Sequence, residues 1–267
     1  MKKIFYSLAI FACVATTFSC SGAKNVALNV STKDFGTESK KINLQKDKQG
    51  YITLFDGKTL EGWRGYAKDH VPANWIVEDG CLKFDPQRGE GGDIIFAHNF
   101  KNFVFEMDWK ISEGGNSGIF FLAHEAKNDK GEVEAIYTTC PEYQVLDNEN
   151  HPDAKLGVDG NRKAASLYDM LPAKPQNAKP HDEWNKAKIV VKNGNVEHWQ
   201  NGVKVVEYKL WDQSWIDLLQ KSKFSEKNWP SAFKLQKNVG GDKHEGVFGL
   251  QDHGNVVWFK NIRVKEL

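Results

Sequence analysis

The run Glu142-Tyr143-Gln144-Val145-Leu146-Asp147-Asn148 alternates polar and apolar residues at strand period, so Glu142 and Gln144 share one face and Tyr143 and Val145 the other. A carboxylate beside an amide, among aromatic and aliphatic neighbours, is the raw material of a general acid or base. A bulge near Leu146 would swing Asp147 to the side of Glu142 and add a second carboxylate. Asn116-Ser117-Gly118 follows Gly114-Gly115, a tight turn that delivers an amide and a hydroxyl as a strand begins. His124 ends that strand on the face of Gly118, Phe120 and Leu122. Near the C-terminus, Gln251-Asp252-His253-Gly254 sits between two strands and adds a carboxylate and an imidazole.

Each run also has a plainer reading. Asn116-Ser117-Gly118 fits ordinary turn chemistry. His124 and His253 each fit an imidazole satisfied by a backbone carbonyl. Glu106, Asp108 and Lys110 fit a solvated strand face with cross-strand ion pairs. The remaining histidines, His70, His98, His151, His181, His198 and His244, show no ligand spacing. Phosphate-loop, HExxH and GxSxG patterns do not occur, so nucleotide, zincin and α/β-hydrolase chemistry have no local support.

Positioning these groups requires strands. Phe103, Phe105, Met107, Trp109 and Ile111 fall on one face of a nine-residue run and Glu106, Asp108 and Lys110 on the other. Asn193-Gly194 and Asn201-Gly202 separate three apolar runs and predict a meander with two tight hairpins. Val256 to Val264 reads as a closing strand, with Trp258, Lys260, Ile262 and Val264 on the face of Val256. One short helix is expected around Trp211 to Lys221, where Trp211, Trp215, Leu218 and Leu219 recur at helical spacing. The pattern is all-β: two antiparallel sheets packed as a sandwich or jelly roll.

The chain has 267 residues, with 36 Lys+Arg against 35 Asp+Glu, so net charge gives no general grip on nucleic acid. Its nine Trp suit either a sandwich core or a sugar-binding surface. Residues 1–19 read as a secretory signal: Lys2 and Lys3 precede the apolar stretch Ile4 to Val14. Thr17-Phe18-Ser19-Cys20 resembles a lipobox, which makes Cys20 the lipidation site and the lipid the only membrane contact. Residues 20–50 read as a polar tether with one strand at Ile42 to Leu44, and residues 51–267 as the folded domain. Without an acidic run after Cys20, the periplasmic side of the outer membrane is expected. Cys81 and Cys140 then remain in the folded part, paired or as two buried thiols.

In order along the chain, Leu54-Phe55-Asp56-Gly57-Lys58, Gly62-Trp63, Trp75-Ile76-Val77-Glu78-Asp79-Gly80, Asp108-Trp109-Lys110, Gly115-Asn116-Ser117-Gly118 and Glu142 to Asp147 resemble the family of 3-keto-disaccharide hydrolases. Ser166-Leu167-Tyr168-Asp169, Glu183-Trp184-Asn185, Asn201-Gly202, Ser222-Lys223-Phe224, Gly249-Leu250-Gln251-Asp252-His253-Gly254 and Phe259-Lys260-Asn261-Ile262 extend the resemblance to Leu267. Lys110, Lys260 and His124 depart from it, standing where arginines are expected.

The resemblance implies a concanavalin A-like lectin/glucanase sandwich acting on 3-keto-glycosides or 3-keto-disaccharides, fed by an upstream C3-oxidising dehydrogenase. A C3 ketone acidifies the C2 hydrogen, so a base can remove it and expel the C1 aglycone, after which water adds. Glu142 or Asp147 is then the candidate base and His253 or Tyr168 the candidate acid. Asn116, Gln144, Lys163 or a divalent cation is the candidate for the enolate oxygen. His124, Asp108 and Gln251 complete the expected substrate contacts. Two other functions stay open: a non-catalytic carbohydrate-binding module, and a conventional endo-β-glucanase. The latter would use a Glu-x-Asp-x-x-Glu strand, of which only Glu142-x-Gln144-x-x-Asp147 is present.

Overall fold

A computed structural model describes residues 24–267; the signal segment and Cys20 lie outside the described residues. In chain order the elements are β1 (Lys24–Ser31), β2 (Ser39–Lys46), β3 (Ile52–Thr53), β4 (Trp63–Gly65), β5 (Trp75–Glu78), β6 (Cys81–Phe84), β7 (Ile94–Phe100), β8 (Phe103–Ile111) and β9 (Asn116–Ala123). They continue with β10 (Glu142–Leu146), β11 (Asn185–Lys192), β12 (Asn195–Gln200), β13 (Val203–Lys209), α1 (Gln213–Lys221), α2 (Pro230–Lys237), β14 (Gly246–Leu250) and β15 (Val257–Glu266). The larger sheet runs β1-β2-β3-β15-β8-β11-β12-β13, with β6 on the flank of β15 and β5 on β6. The smaller runs β10-β9-β14-β7-β4.

The two sheets pack face to face through the alternation read in β8. Its Phe103, Phe105, Met107, Trp109 and Ile111 are buried while the residues between them stay partly exposed. Phe105 stacks on Phe248 of β14, ring centroids 4.0 Å apart, and Phe103 meets the same ring edge-on at 4.8 Å. The meander β11-β12-β13 forms as its Asn-Gly turns require, with Asn193 and Asn201 both at φ +50°.

Three features depart from the sequence reading. In β15, Asn261 takes a φ of +54° where the register to β8 shifts between Lys260 and Arg263. That bulge exchanges the faces: Val257 and Phe259 point inward before it and Ile262 and Val264 after it, leaving Trp258 and Lys260 outside. A second helix, α2, is present besides α1. Its sequence PSAFKLQK carries too few apolar residues to register as a helical stripe, yet Pro at its first turn starts it and Ala232, Phe233 and Gln236 are buried. The expected strand at Ile42 to Leu44 lies inside β2, but the segment around it is not a tether: β1 and β2 form a hairpin paired from Lys24↔Lys46 to Ser31↔Ser39, with Leu28, Val30 and Ile42 in the core. Glu125 pins this hairpin: its carboxylate accepts from Arg64, from Ala67 N at 2.7 Å and from Phe35 N in the hairpin loop. Cys81 and Cys140 are separate buried thiols.

Candidate active site

The outer face of the smaller sheet carries a cavity of about 270 Å³. Pairing of β10 with β9 puts Glu142 opposite Phe120 and Gln144 opposite Gly118, so alternation sends Tyr143 and Val145 to the core and the carboxylate and amide outward, as the sequence indicated. Gly118 is required there because the Glu142 carboxylate lies across it: a Cβ at 118 would fall on Oε1. Gly118→Ala is therefore expected to displace that carboxylate, costing about 1–3 kcal/mol of stability and most of the activity, measured by thermal melting and turnover.

Polar groups converge on Glu142. The Gln144 amide, oriented so that its nitrogen faces acceptors, donates to Glu142 Oε1 at 3.1 Å and Ser117 O at 3.0 Å. Its other end lies 3.4 Å from the Asn116 side chain, which is 3.5 Å from His253 Nε2. Burial pushes the Glu142 carboxyl up to about 8; Lys223 opposes this and the charge of Asp93 adds to it. Gln251 is fixed by its backbone N–H donating to Gly118 O at 3.0 Å, while its buried Oε1 has no partner.

Lys223 follows α1, its backbone N–H donating to Asp169 Oδ2 at 2.8 Å. Its ammonium stands over Tyr168 at 4.4 Å, Phe224 at 5.0 Å and Tyr137 at 5.4 Å. It makes no salt bridge among the described residues, and burial draws its pKa down. Asp93 precedes β7 and accepts Asp252 N at 2.8 Å. Asp252 in turn accepts Gly92 N at 2.7 Å and Gly254 N at 2.9 Å, locking the two loops together. Burial pushes the Asp93 carboxyl up to about 7.

Glu142, Gln144, Asn116, Gln251, His253 and Tyr168 thus meet in one cavity. Tyr168 is present as a wall: its OH donates to Asp153 Oδ2 at 2.9 Å, and Asp153 is held by Arg162 at 2.8 Å. Burial and the Asp153 carboxylate drive its phenol well above the usual range.

Four expected residues lie elsewhere. Asp147 stays off the cavity because β10 is regular through Leu146↔Asn116. Its carboxylate instead accepts Gly114 N at 2.8 Å, Asn150 Nδ2 at 2.8 Å and Glu149 N at 3.1 Å, which hold its pKa low and make it a loop organiser. His124 lines a different cavity beside Arg64 and Glu125, past a positive φ at Leu122 that breaks the β9 alternation. Asp108 lies on the outer face of the larger sheet and accepts Asn261 Nδ2 at 2.7 Å. Lys163 belongs to the loop before Tyr168 and does not line the cavity.

The reading of the strands missed Asp93, Lys223, Tyr137 and Trp229. Asp93 shows in sequence only as an acid after Gly91-Gly92, and Lys223 only through the Ser222-Lys223-Phe224 motif. A larger groove of about 1040 Å³ crosses the larger sheet; there Arg263 pairs with Glu106 at 2.6 Å, Asp108 accepts Asn261 Nδ2, and the Lys188 ammonium stands over Trp199 at 3.7 Å. Among the described residues no group of three or more His, Cys, Asp or Glu is arranged to hold a metal ion.

The model of the 3-keto-alpha-glucoside-1,2-lyase-like domain matches residues 50–265. The chain belongs to that family. A 3-keto-disaccharide hydrolase of Bacteroides thetaiotaomicron is 55% identical over 289 aligned positions that span all of both chains. A Parabacteroides distasonis crystal structure, provisionally described as a glycosyl hydrolase, is 32% identical, with a TM-score of 0.68, 82% of this chain covered and 94% of that one. A second from the same organism, at 22% identity and a TM-score of 0.59, covers 81% and 99% and shares the fold. The protein is a carbohydrate hydrolase, and its cavity joins the Glu142 carboxyl, raised by burial, to the Lys223 ammonium, which forms no ion pair among the described residues.

Proposed function

We propose that the protein cleaves 3-keto-glycosides, including 3-keto-disaccharides, by C2 proton abstraction and β-elimination followed by hydration. The observation that carries this reading is Glu142 and Lys223 facing one cavity. A carboxyl pushed up to about 8 is a far stronger base than an ordinary glutamate, and the ammonium, free of ion pairs among the described residues, suits the oxygen that gains charge when a C3 ketone becomes an enolate. Gln144 holds the base in place. Asn116 and the unpartnered Gln251 Oε1 suit sugar hydroxyls. Elimination avoids an oxocarbenium transition state, so it does not need the closely spaced nucleophile of a retaining glycosidase. That agrees with Asp147 standing away from Glu142.

We further propose export as a lipoprotein anchored through Cys20, on the periplasmic side of the outer membrane, with a C3-oxidising dehydrogenase upstream to make the ketone. The test is turnover of a 3-keto-glucoside and its unoxidised parent side by side. Aglycone release from the ketone alone supports the reading. Release from the parent alone would restore the conventional glycosidase, and release from neither would leave a sugar-binding module.

A further inference from the structure

Elimination leaves an alkoxide unless something protonates the departing oxygen, and sugar aglycones are poor leaving groups without that proton. The cavity holds a group suited to supply it. Asp93 and Glu142 enter from opposite flanks of the smaller sheet: β7 and β10 are separated by β14 and β9, three strand spacings or about 14 Å at the backbone, yet both side chains line the same 270 Å³ space. Their surroundings differ in sign. Burial and the Asp93 charge hold Glu142 protonated up to about 8, above the value of about 7 at Asp93. The reacting form, with Glu142 ionised and Asp93 protonated, is therefore the minority single-proton form, which the Lys223 charge and the Gln144 amide favour. Asp93 has no cation among the described residues; one oxygen accepts Asp252 N, the other accepts no hydrogen bond, and the adjacent Asp252 carboxylate favours its protonated form. The other proton donors are less suited: Tyr168 gives its proton to Asp153, and His253 is exposed at the cavity mouth.

We infer that Asp93 is the general acid of this site, delivering its carboxylic proton to the glycosidic oxygen as the C1–O bond breaks. The inference rests on the elimination reading above. Glu142 takes the C2 proton, the C2–H electron pair passes through the enolate into the C1=C2 bond, the C3 carbonyl re-forms, and the aglycone leaves as an alcohol. Asp93, now a carboxylate, takes a proton from the water that adds to C1 while Glu142 returns its proton to C2. Both residues end as they began, and the net reaction consumes one water.

The test compares wild type with Asp93→Asn on three probes. These are a 3-keto-glucoside with an alkyl aglycone, the 4-nitrophenyl 3-keto-glucoside, whose leaving group needs no proton, and 1,5-anhydro-3-keto-glucitol, which has no leaving group and reports C2–H exchange in deuterated water. Asn keeps an oxygen for Asp252 N, and a thermal melt checks that the loop is intact. The expected result is a loss of about 10²–10³-fold on the alkyl substrate, a loss below about tenfold on the nitrophenyl substrate, and exchange within about tenfold of wild type. Equal losses on both glycosides, or no loss on the alkyl one, would overturn the assignment. So would the leaving-group signature appearing in His253→Gln instead. If wild type itself neither cleaves nor exchanges any keto compound, the elimination reading fails first and is recognised as the failure.

Discussion

Glu142→Gln is expected to lower turnover of a 3-keto-glycoside by about 10⁴-fold, near the upper end for loss of a general base, while making the protein more stable. Gln keeps the shape and an oxygen for the Gln144 amide, so KM should change little and the loss should fall on kcat. The stability gain follows from linkage. The unfolded carboxyl ionises at its ordinary value of 4.5, whereas the folded one stays protonated until about 8. Between those values the unfolded chain binds fewer protons, so folding stability falls as pH rises through that window and the full penalty is present above it. At pH 7 the penalty is on the order of 3 kcal/mol, and Gln removes it. Denaturant unfolding of both proteins at pH 4, 7 and 9 should show curves that nearly coincide at pH 4 and diverge upward. Equal stability at all three would mean that Glu142 is ionised at no cost in the fold.

Lys223→Met is expected to cost about 10²–10³-fold in kcat, the size of losing one preorganised contact to a developing oxyanion. Unlike Asp93→Asn, it should also suppress C2–H exchange, because the enolate itself is what the ammonium stabilises. A second readout separates this role from a packing defect. Lys223 draws the Glu142 pKa down, against its burial, so on the 4-nitrophenyl 3-keto-glucoside, which needs no proton from Asp93, its removal should move the rising limb of the rate profile, near pH 8 in wild type, to higher pH. Lys223→Arg, which keeps the charge over the same aromatic rings, should restore the position of the limb even where it does not restore the rate. A Met variant with normal exchange and an unmoved limb would exclude Lys223 from enolate binding.

What the sequence made legible follows the range of the interactions concerned. Strand alternation is local, so the faces of β8, the Asn-Gly meander and the outward pair Glu142 and Gln144 were readable residue by residue. The bulge at Asn261 was hidden because one residue in a left-handed conformation exchanges the faces without changing composition. Asp147 was misplaced for a related reason: nothing in Leu146-Asp147-Asn148 distinguishes a bulged strand from a regular one followed by a loop whose amides claim the carboxylate. Asp93 and Lys223 meet Glu142 only through sheet order and the return of the chain after α1, contacts between segments far apart in sequence. Motif resemblance drew attention to Ser222-Lys223-Phe224 but gave Lys223 no role, and for Asp93 neither source gave a signal. Of the β1–β2 hairpin only Ile42 to Leu44 was readable, because the core that buries Leu28 and Val30 and the Glu125 carboxylate that accepts the Phe35 amide belong to segments remote in the chain.

The central claim is that the C2–H bond breaks before the aglycone leaves. The most direct measurement uses a 3-keto-glucoside carrying deuterium at C2, following aglycone release and label in the same reaction against the protiated substrate. The expected result is a primary isotope effect on initial release, with solvent hydrogen replacing deuterium at C2 wherever Glu142 exchanges with water before it returns the proton. Label retained at C2 through the first turnovers, at a rate indistinguishable from that of the protiated substrate, would mean that substitution at C1 does the cleaving and would contradict the role given to Glu142.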